Sequence, residues 1–263
     1  MNMYLHELKT YRKSTILWTC SMIGLVLLFL SMFPAFSREA AEFKLVLEGF
    51  PDAVKKSLGL SLETITTLLG FYSYVFLYVT LCGAIQAMHL GVSIISKESR
   101  NKTADFLLTK PVTRTEVITA KLLAALTSLI LTNMVFMTGA AVIASMVATE
   151  SFSLKLFLMI SLTMFFLQLI FLALGTVISS VAPKIKSVLS VSLGTVFAFF
   201  IIGMFAAVTD DNALKYVSPF KYFDPAEIVK NSSYDWRFLG ISIGIVISAT
   251  AASFVIFAKK DVS

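Results

Sequence analysis

The chain has 263 residues, of which 57% are hydrophobic and only 14% charged, with a mean hydropathy of +0.84 and a formal net charge of +6. Ordinary soluble domains carry about 25% charged residues, so this balance excludes a water-soluble globular protein and puts the chain in the membrane class. The basic pI of about 9.2 reflects where the cations fall along a membrane topology, not a surface for nucleic acid.

A helix needs about 20 apolar residues to cross about 30 Å of hydrocarbon. Six apolar runs reach that length, uncharged apart from Lys155 at the edge of the fourth, at roughly residues 16–36, 68–95, 122–148, 154–181, 188–208 and 238–258. The expectation is an all-α membrane protein, one transmembrane domain over residues 1–263. The first run follows the positive stretch KTYRKS and in that respect resembles a secretory signal. Its apolar part is too long for a signal core and no small-residue cleavage site follows, so it reads as a retained first span. Cys20 and Cys82 both fall inside runs, which argues against a disulfide framework. If the N-terminus is cytoplasmic, thirteen Lys and Arg fall in inner segments and nine in outer ones, and the acids bring these to +8 and −2. By the positive-inside rule both termini, and the segment between the second and third runs, face the cytoplasm.

Residues 37–67 then lie outside, with a short helix or two expected around REAAEFKLVLEGF and PDAVKKSLGL, too little for an independent domain. None of the runs has Asp, Glu, Lys or Arg near its centre, although proton relays and ion pathways need such groups at membrane depth. The polar candidates there are Gln86, His89, Asn133 and Gln168, read as helix-to-helix hydrogen bonders. A proton- or ion-driven carrier is disfavoured. No glycine is followed by Lys, so a phosphate loop of the form G-x-x-x-x-G-K-[ST] is ruled out and the chain is not expected to hydrolyse nucleotide itself. HELKT at His6 lacks the second histidine of a zinc protease motif, and no metal is expected. GISIG, residues 240–244, matches G-x-S-x-G but sits in an apolar helix, and reads instead as the close-packing face G-x-x-x-G.

The polar island SKESRNKTADFLLTKPVTRTEVITAK, residues 96–121, carries six Lys and Arg between two apolar runs. Residues 96–109 contain no breaker and place Ala104, Leu107 and Leu108 at helical spacing, which predicts an amphipathic helix of about three turns at the cytoplasmic surface. Pro111 ends it by pushing Lys110 out of the helical region. Thr113-Arg-Thr-Glu116 is a capping box that starts the next helix. A solvated loop that only enforces topology or touches anionic lipid is the plain alternative.

The island resembles the segment between the second and third spans in the membrane subunits of type 2 ABC exporters. The pattern of an acid, a Gly-Thr, a leucine pair, then Pro, a hydroxyl residue, Arg and Lys maps onto Glu98, Thr103, Leu107, Leu108, Pro111, Thr113, Arg114 and Lys121, with Lys102 standing where Gly is common. The leading stretch MNMYLHELKTYRKSTILW and the two longer outer segments are also similar to the small bacterial permeases of that family, so the likeness covers essentially the whole chain. It implies a permease without cofactor of its own. Its partners would be two copies of an ABC-type ATPase that bind ATP and Mg, a second permease copy as homodimer or heterodimer, and the lipid bilayer of a bacterial-type plasma (inner) membrane, with no nucleic acid involved. Residues 96–109 would be the coupling helix. Lys97, Glu98, Arg100, Thr103, Leu107, Leu108, Pro111 and Arg114 would meet the ATPase, and Thr113 with Glu116 would cap the return into the third span.

In the last outer segment, Asp224-Pro-Ala-Glu227 predicts a short helix with Asp224 as N-cap and Pro225 at its first position. Tyr216, Phe220, Tyr222, Phe223 and Trp236 around it suggest an aromatic belt. The resemblance makes Phe220, Tyr222, Phe223, Asp224 and Pro225 a possible outer gate, with interfacial anchoring as the alternative. A drug, peptide or lipid-like cargo fits the Phe-rich, charge-free runs. A scaffold or immunity subunit that recruits an ATPase without a through path, and an ATP-driven exporter of a small ion, stay open.

Overall fold

A computed structural model describes residues 3–57, 64–101, 113–182, 185–209 and 211–259. Among these, every regular element is helical: α1 (Met3–Arg38), α2 (Ala40–Glu48), α3 (Asp52–Ser57), α4 (Leu68–Asn101), α5 (Arg114–Val147), α6 (Leu154–Val181), α7 (Val188–Thr209), α8 (Asn212–Val217), a 3-10 turn (Pro219–Lys221), α9 (Pro225–Asn231) and α10 (Trp236–Lys259). Six of them, α1, α4, α5, α6, α7 and α10, are long and apolar enough to cross a membrane.

The expected runs and the helices share their centres. They differ at their ends for a physical reason: charged residues leave the hydrocarbon before the backbone stops being helical. α1 has 36 residues, about 54 Å, so its first thirteen residues continue the span instead of forming a separate leading helix. α4 likewise runs on through the island's first six residues, 96–101. The separate amphipathic helix expected from residue 96 therefore does not begin there, and the rest of it, residues 102–109, lies outside the described residues. The fourth run matches α6 at both ends, because Ser153 caps its start, accepting from the Leu156 N–H at 3.4 Å, and Ala182 ends it in extended backbone.

α6 is the central span and the most buried of the six, whereas α10 lies at the rim and is the least buried. α4 packs along α6, α1 along α5, α7 against α4, and α10 against α6. The α4–α6 crossing is close because two glycines meet there. A Cβ on Gly91 would sit 2.5 Å from the Leu172 carbonyl oxygen, and one on Gly175 2.8 Å from that of Met88. This is the small-residue contact that holds membrane helices together where no hydrophobic force acts between them. Gly240 and Gly244 play no such part, since a Cβ on either would meet nothing within 4 Å. Within one copy of the chain the expected G-x-x-x-G face of the last span therefore has no helix packed against it. Ser242 between them is buried and donates to the Phe238 carbonyl at 2.7 Å, in its own helix.

Hydroxyl residues on outward faces are satisfied the same way. Ser21, Thr138 and Ser145 each donate to a carbonyl one turn back, at 2.8–2.9 Å, which lets them sit in an apolar medium without an unmet donor.

Candidate functional site

The island end of the bundle gathers α1, α4 and α5. Glu7 is only 3% exposed and accepts from the Lys97 ammonium at 3.3 Å. One turn on, the Tyr11 hydroxyl lies 3.0 Å from that of Ser93, and the Lys97 ammonium stands 5.9 Å from the centre of the Tyr11 ring. Tyr4 reaches Thr127 on α5 at 3.0 Å. Lys121, seven residues into α5, is 1% exposed and donates to the Ile94 carbonyl on α4. α4 and α5, the two rods that enter and leave the island, are therefore tied to each other and to α1 at the same level.

The capping box stands as read. The Glu116 N–H donates to the Thr113 hydroxyl at 3.2 Å, and the Thr113 N–H to the Glu116 carboxylate at 2.8 Å. Arg114 is the first residue of α5 and is half-buried. Glu98 and Arg100 fall within α4 by backbone, with side chains that are not described, and Thr103, Leu107, Leu108 and Pro111 lie outside the described residues. Glu7 escaped the sequence reading, which weighed HELKT only as a zinc motif. Its signal was the spacing of Glu7 and Tyr11, four apart on one helix face.

At mid-depth, four helices share one hydrogen-bonded chain of neutral side chains. The Gln168 amide on α6 donates to the Gln86 carbonyl oxygen on α4 at 3.0 Å, and Gln86 donates to Thr132 on α5 at 3.0 Å. Thr132 also accepts from Thr19 on α1 at 3.2 Å. Asn133 donates to Gln168 at 2.6 Å and to the Leu129 carbonyl at 2.8 Å. These are the helix-to-helix bonds expected of Gln86, Asn133 and Gln168. His89 is half-buried beside them in sequence, with contacts of its own. Amides and hydroxyls at this depth can fix helices but do not change charge near neutral pH.

The far end is covered by the segment between α7 and α10. Asp224 caps α9, its carboxylate accepting from the Ala226 N–H at 2.9 Å, with Pro225 at the first position. Three of the five aromatic residues point into the bundle. Phe220 packs on Phe171 of α6 and Phe200 of α7, at 5.4 Å each. Tyr222 stacks on Phe238 of α10 at 5.2 Å and donates to the Tyr216 carbonyl at 2.6 Å. Phe223 lies 5.3 Å from Phe166 of α6. Tyr216 and Trp236 are exposed, so they alone match the expected belt. Tyr234 donates to the Met159 carbonyl at 2.8 Å, and burial pushes its pKa up to about 12. Burial also draws Lys221 below the ordinary lysine value, against the pull of Asp224 and with help from Lys215. Together these contacts dock the segment on α6, α7 and α10 as a cover that reaches inward from the far end, since Phe166 and Phe171 flank Gln168 on α6 and Phe200 lies at the middle of α7.

Comparison with curated proteins finds no match. The model of one protein family, described as ABC-2 family transporter protein, matches residues 1–262. With six spans in a wholly helical architecture and a family match over the full length, the chain belongs to the ABC-2 family of transporter proteins, as a multi-pass membrane protein.

Proposed function

We propose that the chain is the permease subunit of an ATP-binding cassette exporter in a bacterial-type plasma membrane, acting as a pair of copies with two copies of a separate ATPase. Family membership implies an ABC ATPase partner. The observation that carries the reading further is the anchorage at the island end. Residues 102–112 join α4 to α5 in sequence, and those two helices are fastened to one another through Lys121 and Ile94 and to α1 through Lys97 and Glu7. A force applied to such a segment moves three spans as one body, which is what a coupling element requires. Residues 96–109 are then the cytoplasmic dock for the ATPase, with Leu107 and Leu108 as its apolar contact and Glu98, Arg100 and Arg114 as rim charges of modest individual worth. Pro111 and the Thr113–Glu116 box set the angle at which motion enters α5. ATP and Mg belong to the partner. Export of a hydrophobic or amphipathic substrate fits apolar spans joined at mid-depth by amides and hydroxyls.

Gentle solubilisation of a tagged copy expressed from its own operon tests this. The expected result is an ATPase subunit at roughly equal stoichiometry, lost in Leu107→Ser/Leu108→Ser. A monodisperse oligomer without a nucleotide-binding partner would count against the reading and favour a scaffold without a through path.

A further inference from the structure

The end of the bundle opposite the island holds a cavity of about 510 Å³, inside the range of about 300–1,000 Å³ usual for small-molecule sites. α4 lines it from Gly70 to Thr80, about 15 Å along the helix axis. α6 adds Thr163 and Leu167, Thr64 ahead of α4 adds one more residue, and the cover segment from Pro219 to Lys230 supplies the rest of the wall. It is a slot that follows two spans inward from the far end.

Its lining divides by chemistry. The charged groups, Lys221, Asp224 and Lys230, all come from the cover, while Phe76, Leu77 and Leu167 on the spans are apolar. The hydroxyls of Ser73, Thr80 and Thr163 donate to carbonyls of their own helix at 2.7–2.9 Å, so they make no demand on a ligand. Asp224 is already engaged as the cap of α9. Among the described residues no carboxylate lies within 4.0 Å of the Lys221 or Lys230 ammonium. Lys221 is half-buried, and burial draws its pKa below the ordinary lysine value although Asp224 pulls the other way, so Asp224 offsets only part of the cost of burying its charge. An anion placed there would offset the rest, through a charge-assisted hydrogen bond.

We propose that this slot binds a single-chain amphiphile with an anionic head, a carboxylate or a phosphate, the head on Lys221 and Lys230 and the chain along α4 and α6. The site lies within one copy of the chain and its occupancy needs no ATPase, so it stands or falls independently of the export reading.

The test uses the full chain in nanodiscs of phosphatidylcholine, with radiolabelled dodecyl phosphate as probe and protein-free discs as blank. Expected are saturable binding, displacement by dodecanoate but not by dodecyltrimethylammonium, and weakening by about tenfold or more in Lys221→Met with retention in Lys221→Arg. Leu77→Trp fills the slot and abolishes binding. Should Lys221→Met fail to fold, the discrimination between anionic and cationic competitors by the wild type decides alone. Equal displacement by both competitors, no saturable binding above the blank, or unchanged affinity in a folded Lys221→Met overturns the proposal. Discs with added phosphatidylglycerol assign the source: displacement of the probe identifies a membrane phospholipid, and no displacement a free amphiphile, the site standing in either case.

Discussion

Glu7 shows how little of a side chain's role is visible from its immediate neighbours in sequence. It is a carboxylate almost without water, held by Lys97 from a helix 90 residues away. Lys97→Met leaves that carboxylate buried without its cation. The expected loss is on the order of 2 kcal/mol, below the roughly 3–5 kcal/mol of a fully buried pair because Lys97 keeps partial exposure. Glu7→Gln combined with Lys97→Met should cost less than the sum of the two, measured as a thermal-unfolding cycle in detergent; strict additivity would mean that the pair does not interact. The mid-depth amides behave similarly. Gln168→Leu removes the acceptor of Asn133 and the donor to Gln86 at once, for an expected cost of about 1 kcal/mol. A loss no larger than that of Thr138→Val, whose hydroxyl bonds only within α5, would show that the network adds nothing. Gln86, Asn133 and Gln168 were legible as amides in apolar runs. Thr19 and Thr132 were not, since a threonine in a membrane helix can satisfy itself and gives no sign of a partner.

Among elements, the glycines separate a motif from a contact. G-x-x-x-G at residues 240–244 has the right spacing, yet spacing describes one smooth face and says nothing of what lies against it. Gly91 ends the run Gly83-x-x-x-Ala87-x-x-x-Gly91 and Gly175 begins Gly175-x-x-x-Ser179, small residues at the same spacing, but that the two faces meet depends on how α4 crosses α6, which spacing along one helix does not encode. Gly91→Leu should therefore abolish a monodisperse peak in size-exclusion chromatography, whereas Gly240→Leu should leave it intact. Equal tolerance at both would refute the crossing. Caps, by contrast, are local chemistry, and both Thr113–Glu116 and Asp224–Pro225 were readable because donor and acceptor lie within one turn.

On the scale of the molecule, number and placement of the spans came straight from hydropathy, since length and apolarity are what a bilayer selects. The cover's inward aromatic residues did not, because Phe and Tyr serve an interface and a core equally well. The mid-depth amides and hydroxyls stay neutral, and His89 is the titratable side chain beside them in sequence: ATP hydrolysis by the reconstituted complex should be indifferent to an imposed pH gradient, and a gradient-dependent rate would point to a proton-coupled step through His89 instead.

The meeting of Gly91 with Gly175 has one more consequence, a mechanical one. It is a bearing, backbone on backbone, placed off-centre on a 34-residue rod. From it the island end at Asn101 is about 15 Å away and Gly70 at the slot about 32 Å. A rod turning on a fulcrum between its ends is a first-class lever with unequal arms: a short stroke at the island becomes an opposite stroke about twice as long beside the slot. Paired spin labels at the two ends of α4, each measured against α6, would read the ratio directly.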